Sequence, residues 1–120
     1  MIRFARVAVV ASAATLWLAS AVNAQTVTMD QYQHPKTDKD FAFNKPYLEG
    51  IKDGLLAYNI SREDRLFCLG GDPPVLTFDR ANDVLLHWAR KRGGDAGGLP
   101  LGLAMLYSLK EAFPCKGAPR

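Results

Sequence analysis

"LKEAFPCKG", residues 109–117, ends a helix-like run with Pro114 and places a cysteine directly after it. Proline disfavours the helical conformation in the residue before it, so the helix is predicted to stop here. Cys115 then lies on irregular chain, where its thiol can turn towards another segment. The sequence holds one other cysteine, Cys68. The fold therefore depends on whether these two cysteines pair.

The first residues have the layout of a secretory signal peptide. Arg3 and Arg6 precede a long apolar run that begins at Val7, and Val22 and Ala24 are small residues suited to a cut after Ala24. The run spans about 16 residues, fewer than the roughly 20 that cross a bilayer. We therefore predict a signal peptide over residues 1–24 and a periplasmic mature protein without a membrane segment, with a single membrane anchor as the less favoured alternative.

Charge excludes one class of function. The chain carries 15 basic and 12 acidic residues, a formal charge of +3. Loss of Arg3 and Arg6 with the signal peptide leaves 13 basic residues against the same 12 acidic ones, a formal charge of +1. A nearly neutral domain lacks the positive field that nucleic-acid binding requires. The mature chain is also small, so an added covalent constraint would help it to fold.

Two cysteines in an exported chain are most simply one disulfide, because the compartment is oxidising. The chain has no Cys-x-x-Cys pair for redox work, and His34 and His87 do not stand at metal-ligand spacing from the cysteines. A Cys68–Cys115 bridge would close a loop of about 46 residues, which the chain-entropy model values at roughly 4 kcal/mol. The prediction is a structural disulfide, with no metal site.

Three amphipathic helices are predicted after a polar arm over residues 25–43 that is extended or partly helical. The first helix is capped by Asn44, has Pro46 in its first turn and runs to about Asn59. The second covers residues 78–92 behind an N-cap at Thr77, and the third runs from Pro100 towards Pro114. No segment alternates convincingly as a strand. Residues 44–120 are therefore predicted to be an all-α, disulfide-stapled bundle of three to four helices.

Gly50 and Gly54 lie four residues apart beside the apolar face of the first predicted helix. Each glycine costs roughly 1 kcal/mol relative to alanine inside a helix, so the pair calls for a reason. Close packing of another helix within the monomer is the favoured interpretation. A homodimer contact on this face is the alternative.

No pattern of catalytic residues is evident. Asp79 and Asp83 lie one turn apart on a predicted solvent face, and His87 has no partner placed by the sequence. "GGDAGG", residues 93–98, follows a helix and lacks the Lys and Ser/Thr of a phosphate loop. We predict no catalytic residue and no cofactor, and hence a binding or inhibitory module instead of an enzyme.

Loops on a rigid scaffold are common binding elements, so the partner-binding surface is predicted on two of them. One is "RKRGGDAGG", residues 90–98, and the other is the loop that follows Cys68. The alternative for the basic triplet Arg90, Lys91 and Arg92 is that it only complements the dipole of the helix that it ends. The predicted partner-binding residues are Arg90, Lys91, Arg92, Asp95 and Asp72.

The order of four segments resembles the Rap/Tai immunity proteins of type VI secretion systems. These segments are "YLEGIKDGLLAYN" (47–59), "RLFCLGGDPPVLT" (65–77), "DVLLHWARKR" (83–92) and "LPLGLAMLYSLKEAFPC" (99–115). The most specific pieces are the Tyr-Leu-x-Gly helix, the Phe-Cys before a proline-containing loop, and the closing Phe-Pro-Cys. The family's usual Cys-x-Pro is lengthened here to "CLGGDPP".

The resemblance implies a small, exported, all-helical and often dimeric protein that inhibits a peptidoglycan amidase effector by covering its active site. It also implies that Cys68 and Cys115 are the family's disulfide pair, and that the loop after the second helix or the loop after Cys68 faces the effector. Two other functions stay open from the residues alone. One is a periplasmic stress or chaperone-like protein, which would bury carboxylates or histidines at a dimer interface. The other is an accessory subunit of an envelope complex, which would expose an apolar patch on the Gly50 and Gly54 face.

Overall fold

The computed structural model describes residues 26–116, and within them the chain forms four α-helices and one short 3₁₀ helix. The predicted signal peptide, residues 1–24, lies outside the described residues. The predicted small all-α bundle is confirmed, and the described chain contains no strand beyond one isolated bridge between Thr28 and Pro100. The helices are α1 (Met29–Gln33), α2 (Asp38–Ile60), α3 (Phe78–Arg92) and α4 (Leu101–Ala112), with the 3₁₀ helix at Gly93–Ala96.

The α2 helix begins earlier than the sequence predicts. Thr37 is the N-cap, and its hydroxyl accepts the Asp40 N–H at 3.0 Å. The predicted cap at Asn44 is wrong, because the Asn44 amide instead donates to the Tyr32 carbonyl at 3.1 Å. Pro46 therefore lies inside α2 and not in its first turn. The threonine cap satisfies one free N–H group of this earlier start, and the acidic residues Asp38 and Asp40 in the first turn complement the helix dipole.

The α3 helix has the predicted bounds. The Thr77 hydroxyl accepts the Arg80 N–H at 3.2 Å, and the basic triplet occupies the last turn. The face that carries Leu85 and Trp88 is buried, as its spacing predicts. The α4 helix starts directly after Pro100 and ends before Pro114, also as predicted.

The polar arm is part of the core. Met29 is fully buried, and its N–H donates to the Leu99 carbonyl at 2.9 Å. The Leu101 N–H donates back to the Val27 carbonyl at 2.8 Å. These bonds fix the segment before α4, at the end of the glycine-rich stretch, against the arm.

The C-terminal segment is joined to the loop between α2 and α3. Cys68 and Cys115 form a disulfide, which confirms the prediction. The Cys68 N–H also donates to the Phe113 carbonyl at 2.8 Å. Next to this bond, the buried Asn59 side chain donates to the Phe67 carbonyl at 2.8 Å and accepts the Leu66 and Phe67 N–H groups at 2.8 and 3.2 Å. The loop is thus held by one covalent bond and four hydrogen bonds.

One hydrophobic core receives side chains from every helix and from the disulfide loop. None of the helices in residues 26–116 combines the length and apolar content needed to span a bilayer. The buried apolar residues are Met29, Leu48, Phe67, Leu76, Ala81, Leu85, Trp88, Ala89, Ala96, Leu101, Ala104, Met105 and Leu109.

The interpretation of Gly50 and Gly54 as a close helix contact within the monomer is wrong. Both residues are exposed, and a Cβ at either position would meet nothing within 4 Å. The apolar face of α2 that enters the core carries Leu48, which points away from the side on which these glycines lie. The alternative, a contact between two copies, stays a prediction.

Candidate functional site

A groove of about 490 Å³ lies between α3 and α4. It is the candidate functional site because it brings together cationic, carboxylate and apolar side chains from both helices. Its size is that of a typical ligand cleft, and it opens to solvent along one side. The lining residues are Arg80, Asp83, Val84, Leu86, His87, Trp88, Arg90, Lys91, Ser108, Glu111 and Ala112.

An ion cluster links the two helices at this groove. The Arg92 guanidinium donates to a Glu111 carboxylate oxygen at 2.8 Å, and the Lys91 ammonium approaches the other oxygen at 3.5 Å. The hydrogen bond from Arg92 is the main reason that the pKa of Glu111 lies below its ordinary value. Since all three side chains are partly exposed, the pairs are worth little as stabilisation. Their effect is to fix the positions of two cations.

Trp88 lies beneath this cluster. The Arg92 guanidinium stacks 4.1 Å from the centroid of its ring and donates to its carbonyl at 3.3 Å. The Tyr107 ring lies 6.3 Å from the indole on the other helix. Trp88 is only 4% exposed, and its buried indole N–H has no acceptor among the described residues. Arg92 is therefore held by both an aromatic face and a carboxylate, which makes it a rigid part of the site.

Two other cations of the groove have no carboxylate partner in the part of the chain that the structure describes. Arg90 is exposed without an ion pair or side-chain hydrogen bond. Arg80 contacts only the Phe113 ring, at 5.6 Å from its centroid. Asp83, on the same wall, is likewise unpaired. The guanidinium donors of Arg80 and Arg90 are thus available to an incoming anion.

The predicted partner-binding residues are not gathered in one site. Lys91 and Arg92 are engaged by Glu111, whereas Arg90 is free of such a pair. Asp95 is exposed on the 3₁₀ helix, and Asp72 is exposed in the loop between α2 and α3. No hydrogen bond or ion pair among the described residues joins Asp95 or Asp72 to the basic triplet. Their role in partner binding stays a prediction.

Asp83, His87 and Ser108 line the same groove and are the residue types of a hydrolytic triad. The Ser108 hydroxyl, however, is buried and donates to the Met105 carbonyl at 2.8 Å. No hydrogen bond joins any two of the three side chains within residues 26–116, so this arrangement contains no preformed relay for a nucleophile. The same residues contain no group of three potential metal ligands.

A second cavity, of about 640 Å³, lies between the arm and the first turns of α2. The sequence gives no indication of it, because it exists only where α1 folds back onto α2. His34 and Asp30 form an exposed contact at 3.2 Å beside it, and Phe43 is half exposed on its rim. Its charged residues are of both signs, so it has less charge preference than the α3/α4 groove.

The α3/α4 groove was missed by the sequence-based prediction for a similar reason. Glu111 stands 19 residues beyond Arg92, and nothing in the local pattern of either helix pairs them. The available signal was the basic triplet at the end of α3 and a single acidic residue in the last turn of α4.

Comparison of the chain with family models, curated proteins and solved structures finds no match in any of the three.

Proposed function

We propose that this chain is an exported immunity-type protein that binds and inhibits a peptidoglycan amidase effector of a type VI secretion system. One observation carries the proposal: the segments that resemble the Rap/Tai proteins are those that build the core. Leu48 of the Tyr-Leu-x-Gly helix and Phe67 of the Phe-Cys segment are both fully buried. The Phe-Pro-Cys segment joins them through the Cys68–Cys115 bond and the hydrogen bond to Phe113.

Export of the mature protein to the periplasm is the second part of the proposal. A disulfide persists in an oxidising compartment and is rarely kept in a reducing one, so the Cys68–Cys115 bond supports export. The sequence pattern of residues 1–24 supports it independently. A protein placed there would meet an amidase injected from a neighbouring cell before that enzyme reached its substrate.

The binding surface proposed for the effector is the basic end of α3 together with the α3/α4 groove. A rigid scaffold is needed because inhibition requires one fixed surface against the enzyme. The Arg92–Glu111 bond and the Arg92–Trp88 stack provide such rigidity on one wall of the groove. Arg90 remains exposed beside them as a contact for the partner.

The test is a protection assay with an amidase encoded next to this chain. The amidase is directed to the periplasm of a bacterial host, with the chain supplied in full or without residues 1–24. We expect the full chain to prevent lysis and the truncated chain to give none of this protection. Purified chain should also inhibit the purified amidase at equal concentration. Normal amidase activity in the presence of excess folded chain would refute the immunity function.

A second candidate, an accessory subunit of an envelope complex, is favoured by one observation. Phe43 and Tyr58 are each 52% exposed. Phe43 lies seven residues before Gly50, and Tyr58 lies four residues after Gly54. This spacing places both aromatic side chains on the same side of α2 as the two glycines. This is the exposed apolar patch that such a subunit would present. Co-purification of a defined envelope protein, lost when Gly54→Glu is introduced, would favour this function over inhibition of an amidase.

The chaperone-like alternative gains no such support. Its signature would be carboxylates or histidines that are buried at a dimer interface and change charge on acidification. Among the described residues, the buried polar side chains are Lys52, Asn59 and Ser108. Lys52 is paired with Glu49 at 2.9 Å and with Asp53 at 3.2 Å, which raises its pKa further above the range of acid stress.

A further inference from the structure

The α3/α4 groove carries a local excess of positive charge. Four cations, Arg80, Arg90, Lys91 and Arg92, meet two carboxylates, Asp83 and Glu111, in the groove and its ion cluster. Two positive charges are therefore uncompensated here, although the formal charge of the whole mature chain is only +1. The excess belongs to this surface and not to the molecule in general, so the groove is complementary to an anionic partner.

The positions of the two unpaired arginines suggest the shape of that partner. Arg80 and Arg90 are ten positions apart on α3, so their backbones are separated by about 15 Å along a helix that rises 1.5 Å per residue. Two acidic groups on one chain match such a spacing better than a single small anion does. An extended peptide advances about 3.3 Å per residue, so two acidic side chains about four or five residues apart would match the distance.

Between the two arginines the groove is lined by apolar side chains as well as by Asp83 and His87. Val84 is half-buried, Trp88 lines the groove although only 4% of it is exposed, and Ala112 of α4 also lines it. An aliphatic side chain placed between two carboxylates would lose water against this wall at little cost to either partner. Phosphate-rich polymers offer charge at every unit and no aliphatic group at this position, so they fit the groove less well.

We propose that the α3/α4 groove binds a short acidic segment of a partner polypeptide, with carboxylates at Arg80 and Arg90 and an aliphatic side chain on the wall between them. This inference deepens the proposed function, since it takes the partner to be a protein. Arg92 acts as a positioning residue that keeps Trp88 and the α4 wall in place. Lys91 and Glu111 complete the cluster and need not touch the segment.

The probe is a fluorescein-labelled peptide in a glycine-serine background, with two glutamates about five residues apart and one leucine midway, a spacing set by the strand rise. Its controls are the same peptide with glutamines and one with adjacent glutamates. In a chain that begins at Gln25, Trp88 is the sole tryptophan, so its fluorescence reports occupancy of the groove independently of the label. Binding is measured by anisotropy and by Trp88 emission.

We expect the spaced glutamate peptide to bind about tenfold more tightly than the glutamine peptide, as one or two exposed charge contacts would give. Arg80→Gln and Arg90→Gln should each weaken it about threefold. Arg65→Gln removes an exposed arginine outside the groove and should change nothing. Circular dichroism of each variant verifies that it remains folded, and Arg90, being exposed and unpaired, is the variant least able to disturb folding.

Equal binding of the glutamate and glutamine peptides, or equal losses in Arg65→Gln and Arg90→Gln, would overturn the proposal. So would binding of phosphatidylglycerol vesicles that depends on Arg90 when the peptide does not bind. The assay contains no amidase, so its outcome is separate from that of the protection test. Peptide binding without inhibition of the amidase refutes the immunity function alone, and inhibition without peptide binding refutes the groove as its acidic-segment site.

Discussion

Asn59 is the residue whose loss should test the architecture of the disulfide loop most directly. It is 2% exposed, and its side chain makes three hydrogen bonds to the backbone of Leu66 and Phe67. Asn59→Ala removes all three and leaves two N–H groups and one carbonyl in a mostly buried place. The substitution therefore changes the loop without touching the Cys68–Cys115 bond.

The expected cost follows from these three bonds. Each contributes about 1 kcal/mol net, and a buried group left without a partner costs about 1 to 3 kcal/mol. Alanine recovers about 0.5 kcal/mol through its better helix propensity. We expect a loss of about 3 kcal/mol in the free energy of unfolding. For a domain of this size, that corresponds to a fall in Tm of at least about 12 °C.

Urea denaturation with the disulfide intact measures this loss, and hydrogen exchange of the Leu66 and Phe67 amides locates it. Asn44→Ala is the matched control, because Asn44 lies on the same helix but makes a single, partly buried bond to Tyr32, at 3.1 Å. The control should lose about 1 kcal/mol or less. If Asn59→Ala costs no more than the control and both amides stay protected, the loop is not held in the way described here.

Replacing both cysteines by serine should lower the free energy of unfolding by about 4 kcal/mol in urea titrations, because the disulfide closes a long loop between residues 47 apart in sequence. A loss under about 1 kcal/mol would contradict this loop-entropy account. Gly50→Ala and Gly54→Ala should each stabilise the monomer by roughly 0.5 to 1 kcal/mol, since a Cβ meets nothing within 4 Å at either position. Destabilisation together with a smaller particle in size-exclusion chromatography would instead indicate a dimer contact. Arg92 lowers the pKa of Glu111 below its ordinary value of about 4.5. The stability difference between the wild type and Glu111→Gln should therefore be present at neutral pH and disappear as the pH falls through this lowered pKa. A difference that grows in acid would show that Arg92 does not hold the ionised form.

The sequence predicts α3 well because independent signals agree there. The N-cap at Thr77, the apolar spacing through Leu85 and Trp88 and the basic last turn all give the same bounds. At α2 the signals conflict. Thr37 and Asn44 are both acceptable caps, and Pro46 near Asn44 favours the later start, yet the earlier one is used. Local patterns cannot rank two valid caps, since the choice depends on how Tyr32 and the arm pack against the helix.

The arm shows what a local pattern leaves out. Residues 25–43 are polar, and their sequence predicts only an extended or partly helical arm. Met29 is nonetheless fully buried, because its backbone bonds to Leu99, about seventy positions further along the chain, place it under α4. The same dependence on distant packing explains the groove, whose cations are visible in the sequence but whose second wall and acidic anchor, Glu111, are not.

The docked arm and the disulfide hold the two ends of α4, which forms one wall of the groove. The bonds from Val27 and Met29 fix the start of α4, and the Cys68–Cys115 bond fixes the chain just beyond its end. Holding both ends favours one position of α4 along α3, in which Glu111 pairs with Arg92 and Arg92 stacks on Trp88. A binding surface that does not need to be ordered on contact loses less free energy in association. In the proposed interaction, the "LKEAFPCKG" stretch would serve binding as well as the fold, because the Cys68–Cys115 disulfide holds the chain just beyond α4.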